Sequence, residues 1–166
     1  MHSVFAIGGA LEQDSPQRRQ AEELGLACQL ASRLSTHSQI PLSSFVSLAR
    51  MAQQVSQFKV YLNGYGACVG YVAWALLSPD VESEYLACNP RPLAEWEFND
   101  GTSPWILDFA VAQGSLPYVL ADLRDAVFPH YECVTYFRMK GARLVCKRVG
   151  RNDRTSFMSL RPANAA

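Results

Sequence analysis

Two residues stand out for the chemistry that their side chains could perform together. His37 lies in the segment LSTHSQIPLSSF, four residues before Pro41, and is one of three histidines. Asp108 lies inside WILDFAVA, where its neighbours are apolar. An imidazole can take up a proton near neutral pH, and a carboxylate can orient it. Because burying an unpaired carboxylate is costly, we expect Asp108 either to have a partner or to face outward on a strand.

A third feature is the connection Gln113-Gly114-Ser115, between a predicted strand and a predicted helix. Backbone N–H groups at a helix N-terminus can bind a phosphate or polarise a carbonyl, although one glycine before a helix is also an ordinary turn. The motifs GxGxxG, HExxH and GxSxG are absent from the sequence. Because the histidines are widely separated and no C-x-x-C pair occurs, we expect no metal site.

The composition predicts a single globular domain over residues 1–166, in which residues 1–20 are poorly defined. The chain is 49% hydrophobic and 18% charged, and fifteen basic residues balance fifteen acidic ones. This neutral total argues against a general electrostatic footprint for nucleic acid. No apolar stretch approaches about 18 residues, so we expect no membrane span. Five cysteines without a paired motif, and no signal-peptide pattern, predict a cytoplasmic protein.

The periodicity of apolar residues predicts the elements that position these side chains. His37 falls in a connector between two helices, and Asp108 falls on a strand. Residues 93–98 are ambiguous. The predicted helices cover 21–34, 41–52, 79–88 and 117–128, and the predicted strands cover 58–62, 67–77, 105–112, 132–138 and 142–149. This order predicts an α/β layer fold with a strand–helix–strand segment in its second half.

Strict alternation along the strand at 105–112 predicts which side chains share a face. One face would carry Ile106, Asp108 and Ala110. The other face would carry Trp105, Leu107, Phe109 and Val111. An outward-facing Asp108 on a polar face is compatible with this pattern.

Three blocks together resemble the RTX toxin-activating lysine acyltransferase family, whose members attach fatty acyl chains to protoxins. The first block is His37-x-x-x-Pro41-x-Ser43-x-Phe45, and the second is VGYVAWALLS at 69–78. The third is LAEW at 93–96, followed by a Gly101 turn, WILDF at 105–109 and Gly114. The resemblance covers roughly residues 34–150. The sequence departs from the family three residues before His37, where the common serine is replaced by Leu34.

The resemblance implies a GNAT-like fold with a central, mostly antiparallel mixed sheet flanked by helices. It implies no bound cofactor, an acyl-thioester co-substrate on acyl carrier protein, and an acceptor lysine on an RTX protoxin-like protein. A homodimer is left open. The resemblance also implies that His37 and Asp108 are catalytic. His37 would be the base, and Asp108 would either orient it or guide the incoming ammonium. Transfer would be direct, with an acyl-enzyme on His37 or a cysteine as the alternative.

The resemblance suggests two further sets of residues. Candidate acyl-donor residues are Gln113, Gly114, Ser115 and Trp74. Candidate carrier-docking residues are Arg138, Lys140, Arg143, Lys147 and Arg148, which could equally form a solvated strand edge. The aromatic residues that could line an acyl channel, but that an ordinary core would also bury, are Tyr71, Trp74, Trp96, Trp105 and Phe109.

Three other functions remain open from the sequence. The acceptor could be a lysine or ornithine of a ribosomal peptide precursor. The chain could be a CoA-dependent GNAT enzyme, although AQGSLP at 112–117 lacks the usual R/Q-x-x-G-x-G/A loop. It could also be a non-enzymatic module that escorts a secreted partner, in which case changes at His37 and Asp108 would be tolerated.

Overall fold

The computed structural model describes residues 15–87, 91–154 and 156–159. Outside the described residues lie most of the poorly defined N-terminal segment, Cys88, Pro90 and the last residues of the chain. The helices are α1 (Pro16–Ser32), α2 (Leu42–Gln54), α3 (Pro79–Ala87) and α4 (Leu116–Asp122). The strands are β1 (Phe58–Leu62), β2 (Cys68–Leu77), β3 (Ser103–Val111), β4 (Cys133–Lys140) and β5 (Arg143–Gly150).

Two short helical segments complete these elements. The ambiguous stretch after α3 contains a 3-10 helix, Glu95–Phe98. The helix predicted over 117–128 is present as α4 followed by a π-helical turn, Leu123–Val127, which ends where the Phe128 N–H donates to the Leu123 carbonyl at 2.7 Å. The apolar residues of 117–128 give no signal of the change from α to π geometry, because a single turn of π-helix is too short to show a period of its own.

Helix α1 begins five residues earlier than the apolar stripe predicts. The Ser15 side chain accepts a hydrogen bond from the Arg18 N–H, and Pro16 occupies the first turn, where its missing N–H costs nothing. The buried residues of α1 are Ala27, Leu30 and Ala31. Polar residues of the first turns are exposed, and this explains why hydrophobic periodicity did not detect them.

The five strands form one sheet in the order β1-β2-β3-β4-β5, so each strand neighbours the next one along the chain. All neighbours are antiparallel except β3 and β4, which are parallel. Helices α1, α2 and α3 contribute to the core cluster on one face, and α4 contributes to the cluster on the other. The predicted α/β fold with a mixed, mostly antiparallel sheet flanked by helices is therefore confirmed.

A β-bulge on β3 changes which side chains share a face. Ala73 pairs with Asp108 but the next residue, Trp74, pairs with Ile106, so Leu107 has no partner on β2. Residues 106–108 of β3 thus lie opposite only two residues of β2, Ala73 and Trp74. The alternation of side chains shifts by one position across such a bulge.

The face assignment predicted for β3 is therefore wrong. Trp105 and Ala110 pack in the same cluster, beneath α1 and α2, whereas Ile106 and Phe109 pack together in the cluster beneath α4. Strict alternation would place the two members of each pair on opposite faces of the sheet. Because of the bulge, Asp108 lies on the α1/α2 side, and its side chain is only 13% exposed. The outward-facing alternative for Asp108 is thereby excluded.

The parallel pair β3–β4 is short, and this opens the sheet near Asp108. Only two residue pairs join the strands, Trp105 with Thr135 and Ile106 with Tyr136. Beyond Ile106 the end of β3 pairs with β2 only, and the end of β4 pairs with β5 only. The two strand ends separate and leave a cleft in the middle of the sheet.

Within the described residues, no helix is long and apolar enough to cross a membrane.

Gly101 provides a stability prediction in the loop before β3. Its N–H donates to the Leu76 carbonyl at 2.9 Å, and a Cβ at this position would overlap the backbone of Leu77 and Ser78. We expect Gly101→Ala to lower the free energy of unfolding by about 1–3 kcal/mol, because a backbone cannot yield as a flexible side chain can. Urea unfolding with Gly64→Ala as control measures this. Gly64 has open space around it, so its variant should stay within about 0.5 kcal/mol of wild type.

Candidate active site

His37 lies in a tight, non-helical turn between α1 and α2. Its N–H donates to the Leu34 carbonyl at 2.9 Å, and its own carbonyl accepts from the Ile40 N–H at 3.0 Å. Pro41 then caps α2, which begins one residue later than predicted. These bonds hold the His37 side chain over the sheet, where it is 12% exposed.

The structure brings His37 and Asp108 together although they are 71 residues apart in the chain. His37 Nε2 lies 2.9 Å from Asp108 Oδ1. The same oxygen accepts the Phe109 N–H at 2.8 Å, and the other carboxylate oxygen, Oδ2, accepts the Tyr71 hydroxyl at 3.0 Å. The carboxylate thus accepts three hydrogen bonds. This network replaces the solvation that a carboxylate loses on burial.

Tyr71 supports the pair from beneath. It is fully buried, and its ring makes edge contacts with the rings of His37 and Phe45 at centroid distances of 6.1 Å and 5.4 Å. Burial raises the pKa of Tyr71 far above its usual value, and the neighbouring Asp108 charge raises it further. Tyr71 therefore keeps its proton and remains a donor to Asp108 over the working pH range.

The second ring nitrogen of His37 also has a partner. Nδ1 lies 2.9 Å from the hydroxyl oxygen of Thr36, the residue immediately before it. Thr36 belongs to the exposed rim of the turn. Both nitrogens of the imidazole are therefore engaged, one by a carboxylate on the buried side and one by a hydroxyl on the exposed side.

A cavity of about 510 Å³ opens between the separated ends of β3 and β4, and His37 and Asp108 both line it. Its walls are mainly apolar and include Phe109, Leu120 and Phe157. A second apolar cavity, of about 530 Å³, lies on the α2 side and also reaches Asp108. Volumes of this size suit organic ligands. Asp108 thus lies where two apolar cavities meet, and His37 lines the first of them.

The candidate acyl-donor residues do not line either cavity. Gln113 and Gly114 are exposed, and Gly114 takes a positive φ of 86° in the turn before α4. Ser115 is half-buried at the start of α4, and Trp74 packs edge-on against Phe128, with ring centroids 5.9 Å apart. The structure does not bring these four residues to the His37–Asp108 pair, and their role as donor ligands stays a prediction.

The basic residues of the β4–β5 hairpin divide between two faces of the sheet. On the hairpin, Arg138 pairs with Val145, Lys140 with Arg143, and Tyr136 with Lys147. This register places four basic residues on one face of the sheet: Arg138, Lys140, Arg143 and Lys147. We call these four the basic stripe. Arg138 also lines the 510 Å³ cavity, so the stripe begins at the cleft.

Arg148 does not belong to that surface. It pairs with Thr135, on the opposite face, and its guanidinium donates to the Cys133 sulfur at 3.2 Å. The five predicted docking residues therefore do not share one face, and a docking role for Arg148 stays a prediction. The reason is strand alternation, which directs residues 147 and 148 to opposite sides of the sheet.

The aromatic residues divide between core and surface. Tyr71 and Trp105 are fully buried, as an ordinary core predicts. Trp96 is 67% exposed and lines neither cavity. Phe109 lines the cleft. The aromatic side chains thus do not form one continuous channel.

Sequence reasoning missed two partners of the pair, Tyr71 and Thr36. Tyr71 lies within the second block of the resemblance, but its contact with Asp108 depends on the β2–β3 register and could not be read from local pattern. Thr36 was visible as a hydroxyl next to His37, and only the conformation of the turn shows that it contacts Nδ1.

Among the described residues, no cluster of histidine, cysteine and acidic side chains could hold a metal ion.

Comparison with protein families gives one match, and it covers most of the chain. The model of the RTX toxin acyltransferase family (HlyC) matches residues 17–150. This range includes His37, Asp108, Tyr71 and the basic stripe. A search of curated proteins found no match.

The solved structures that are similar to this chain include two GNAT-like proteins. One is the GNAT-like decarboxylase GphF in complex with isobutyryl-CoA, with 21% identity, a TM-score of 0.46, and coverage of 78% of this chain and 65% of that chain. The chain thus spans less than two thirds of that protein. The other is a GNAT-family acetyltransferase from Listeria monocytogenes, with 10% identity, a TM-score of 0.45, and coverage of 83% and 93%. GNAT-like structures were expected from the resemblance, but at these scores the likeness carries no argument about activity.

Proposed function

The chain belongs to the RTX toxin acyltransferase family, and from this premise we propose that it is a protein-lysine fatty acyltransferase. It moves an acyl chain from acyl carrier protein to the ε-amine of internal lysines of an RTX protoxin-like protein and so activates that protein. The observation that carries the proposal is the 2.9 Å hydrogen bond between His37 and Asp108 at the meeting point of two apolar cavities.

His37 supplies the base that lysine acylation needs. A lysine amine has an unperturbed pKa of about 10.4, so at neutral pH it is protonated and not nucleophilic. A histidine within reach can take the proton as the amine attacks the thioester carbonyl. The ammonium first loses one proton to solvent. As the neutral amine attacks and the C–N bond forms, His37 takes a second proton from the nitrogen, and when the C–S bond breaks this proton passes to the leaving thiolate.

Asp108 orients the imidazole and stabilises its protonated form. Both carboxylate oxygens are already engaged by the protein, one by Tyr71 and the other by His37 and the Phe109 N–H. An incoming ammonium would have to displace one of these donors. The geometry therefore favours orientation of His37 over guidance of the substrate amine, the two roles left open by the sequence.

The apolar walls of the cleft suit a fatty acyl thioester. Phe109, Leu120 and Phe157 offer apolar surface to the chain, and they limit the access of water to the reacting carbonyl. Limiting water matters because hydrolysis of the thioester competes with transfer to the amine. The mouth of the same cleft carries Arg138, which offers a positive charge to a donor approaching from outside.

A direct transfer is favoured over an acyl-enzyme on a cysteine. Cys28 borders a smaller cavity of about 270 Å³ that His37 also lines, so it is the thiol best placed to act. Burial raises the pKa of the Cys28 thiol, and burial does the same for Cys68 and Cys146. The thiolate is the reactive form of cysteine, and a raised pKa lowers the fraction of the thiol that is ionised.

Four described cysteines are free, and this supports a cytoplasmic site for the reaction.

The basic stripe is the proposed docking surface for acyl carrier protein. We expect Arg138→Gln/Lys140→Gln to raise the KM for the acyl-carrier donor about 3- to 10-fold, since an exposed ion pair contributes about 0.2–1 kcal/mol. The difference from wild type should shrink as salt screens the charges. Initial rates at several salt concentrations measure this.

Arg148→Gln is the matched control for the docking surface, because it removes a positive charge from the same hairpin on the opposite face. Its KM for the donor should remain at the wild-type value. Equal KM changes in the double variant and in Arg148→Gln would show that overall charge, and not the stripe, determines donor binding.

Release of free thiol from the donor tests the proposed activity. Acyl carrier protein and CoA loaded with the same saturated chain are each incubated with the chain, with and without an RTX protoxin. We expect thiol release that requires the protoxin and is faster with the carrier protein. Faster release from CoA would favour the CoA-dependent enzyme, and no release from either donor would favour the non-enzymatic escort. A ribosomal peptide acceptor would instead give release only when the precursor peptide is supplied.

A further inference from the structure

We propose that Nδ1 is the basic atom of His37 and that the Thr36 hydroxyl carries the proton between the substrate amine and that atom. This rests on the proposed acyl transfer and specifies its proton path. Thr36 thereby becomes a third residue of the catalytic machinery, beside His37 and Asp108.

The hydrogen bonds around His37 determine which tautomer is present. The Asp108 carboxylate has no hydrogen to give, so in the bond between them Nε2 must be the donor. Both oxygens of Asp108 already accept hydrogen bonds from Phe109 and Tyr71, which is the pattern of an ionised acceptor. A neutral imidazole has only one N–H. The lone pair of His37 is therefore on Nδ1.

The position of Thr36 follows from that tautomer. Because Nδ1 is the acceptor, the Thr36 hydroxyl donates its hydrogen to Nδ1 at 2.9 Å. No other hydrogen bond to Nδ1 is found among the described residues. A proton that reaches Nδ1 must then displace Thr36 or pass through its hydroxyl. Thr36 is exposed, whereas the imidazole is only 12% exposed, so the hydroxyl is the accessible end of the path.

The relay is balanced in atoms and charge. The amine, already in its neutral form, attacks the thioester carbon, and its surplus proton moves to the Thr36 oxygen. The hydrogen that Thr36 held moves to Nδ1 and leaves an imidazolium, which Asp108 stabilises. When the C–S bond breaks, the same path returns one proton to the thiolate. Thr36 and His37 finish in their starting states, and the products are an amide and a free thiol.

A spectroscopic measurement tests the tautomer without any substrate. Two-bond ¹H–¹⁵N correlation spectra of the full chain, labelled with ¹⁵N-histidine, distinguish Nε2–H from Nδ1–H, and His37→Gln identifies the signals that belong to His37. We expect the Nε2–H form for neutral His37 in wild type. The Nδ1–H form would overturn the proposal, whatever the activity of the protein.

The relay itself is tested with Thr36→Val and Thr36→Ser. Valine has the shape of threonine without the hydroxyl, and serine keeps the hydroxyl without the methyl group. With saturating acyl carrier donor and RTX protoxin, we expect kcat of Thr36→Val to fall at least about 10-fold and kcat of Thr36→Ser to stay within about 3-fold of wild type. Because Thr36 is exposed, both variants should keep the wild-type unfolding midpoint.

The outcomes separate the relay from the proposed function. If wild type transfers acyl chains and Thr36→Val is as fast, the relay is wrong and the proposed function stands. Loss of activity in both Thr36 variants would also overturn the relay, because the hydroxyl would not be the critical group. If wild type itself transfers nothing to the protoxin, the proposed function fails, while the tautomer spectrum still decides the position of the proton.

Discussion

His37→Ala is expected to lower kcat for acyl transfer by about 10²- to 10⁴-fold, the usual contribution of a general base. The imidazole lines the cleft and can take a proton from the attacking amine, and Asp108 holds it at 2.9 Å. Alanine leaves the donor cleft in place. The KM for the acyl-carrier donor should therefore change little while kcat falls. Single-turnover transfer from purified acyl carrier protein measures the chemical step directly.

His130→Ala is the control for this change, because His130 is exposed in a loop after α4 and does not line the cleft. It should transfer at the wild-type rate. Circular dichroism and thermal unfolding would show that His37→Ala remains folded. Full transfer by a folded His37→Ala protein would show that the base lies elsewhere and would remove the basis of the proposed mechanism.

Asp108→Asn should also lower kcat by roughly 10²-fold or more, with little change in the KM for the donor. Asparagine keeps the shape of the side chain but loses the negative charge that stabilises the His37 imidazolium. It also has a single acceptor oxygen for the three donors now supplied by Tyr71, Phe109 and His37, so the imidazole is held less well. Transfer rates across a range of pH would show the changed proton affinity of His37, which a simple loss of stability would not produce.

Asp122→Asn provides a matched control for the carboxylate. The Asp122 side chain also accepts a tyrosine hydroxyl, that of Tyr61 at 2.8 Å, together with the Lys59 ammonium at 2.7 Å. It lies on α4, and among the described residues it has no hydrogen bond to a histidine. Its substitution should reduce stability with kcat unchanged. Equal loss of kcat in Asp108→Asn and Asp122→Asn would mean that Asp108 acts through stability alone.

Local pattern predicted most of the elements, and the physical reason is visible in the first hairpin. Alternation over 58–62 predicts β1 at Phe58–Leu62, as found. The second hairpin was predicted with its turn beginning two residues early, at 139, whereas the chain reverses at Gly141 and Ala142, after β4 ends at Lys140. Hydrophobic period and turn chemistry are local properties, so a single sequence reveals them.

Long-range register could not be predicted in the same way. The bulge at Leu107 depends on how β3 meets β2, and no residue of WILDFAVA signals it. The face of Asp108, its bond to Tyr71 and its approach to His37 all follow from that register. Sequence alone made His37 and Asp108 two separate candidates. Their pairing came from the family resemblance, and the structure supplies its geometry.

The direct test of the central claim is the mass of the acceptor after incubation with acyl carrier donor and this chain. We predict that an RTX protoxin gains one acyl mass per modified site, and that tandem spectra place the group on lysine ε-nitrogens. Protoxin incubated with the His37→Ala variant should gain nothing under the same conditions. An unmodified protoxin in the presence of active donor and folded wild-type chain would contradict the account, as would an acyl group found on any residue other than lysine.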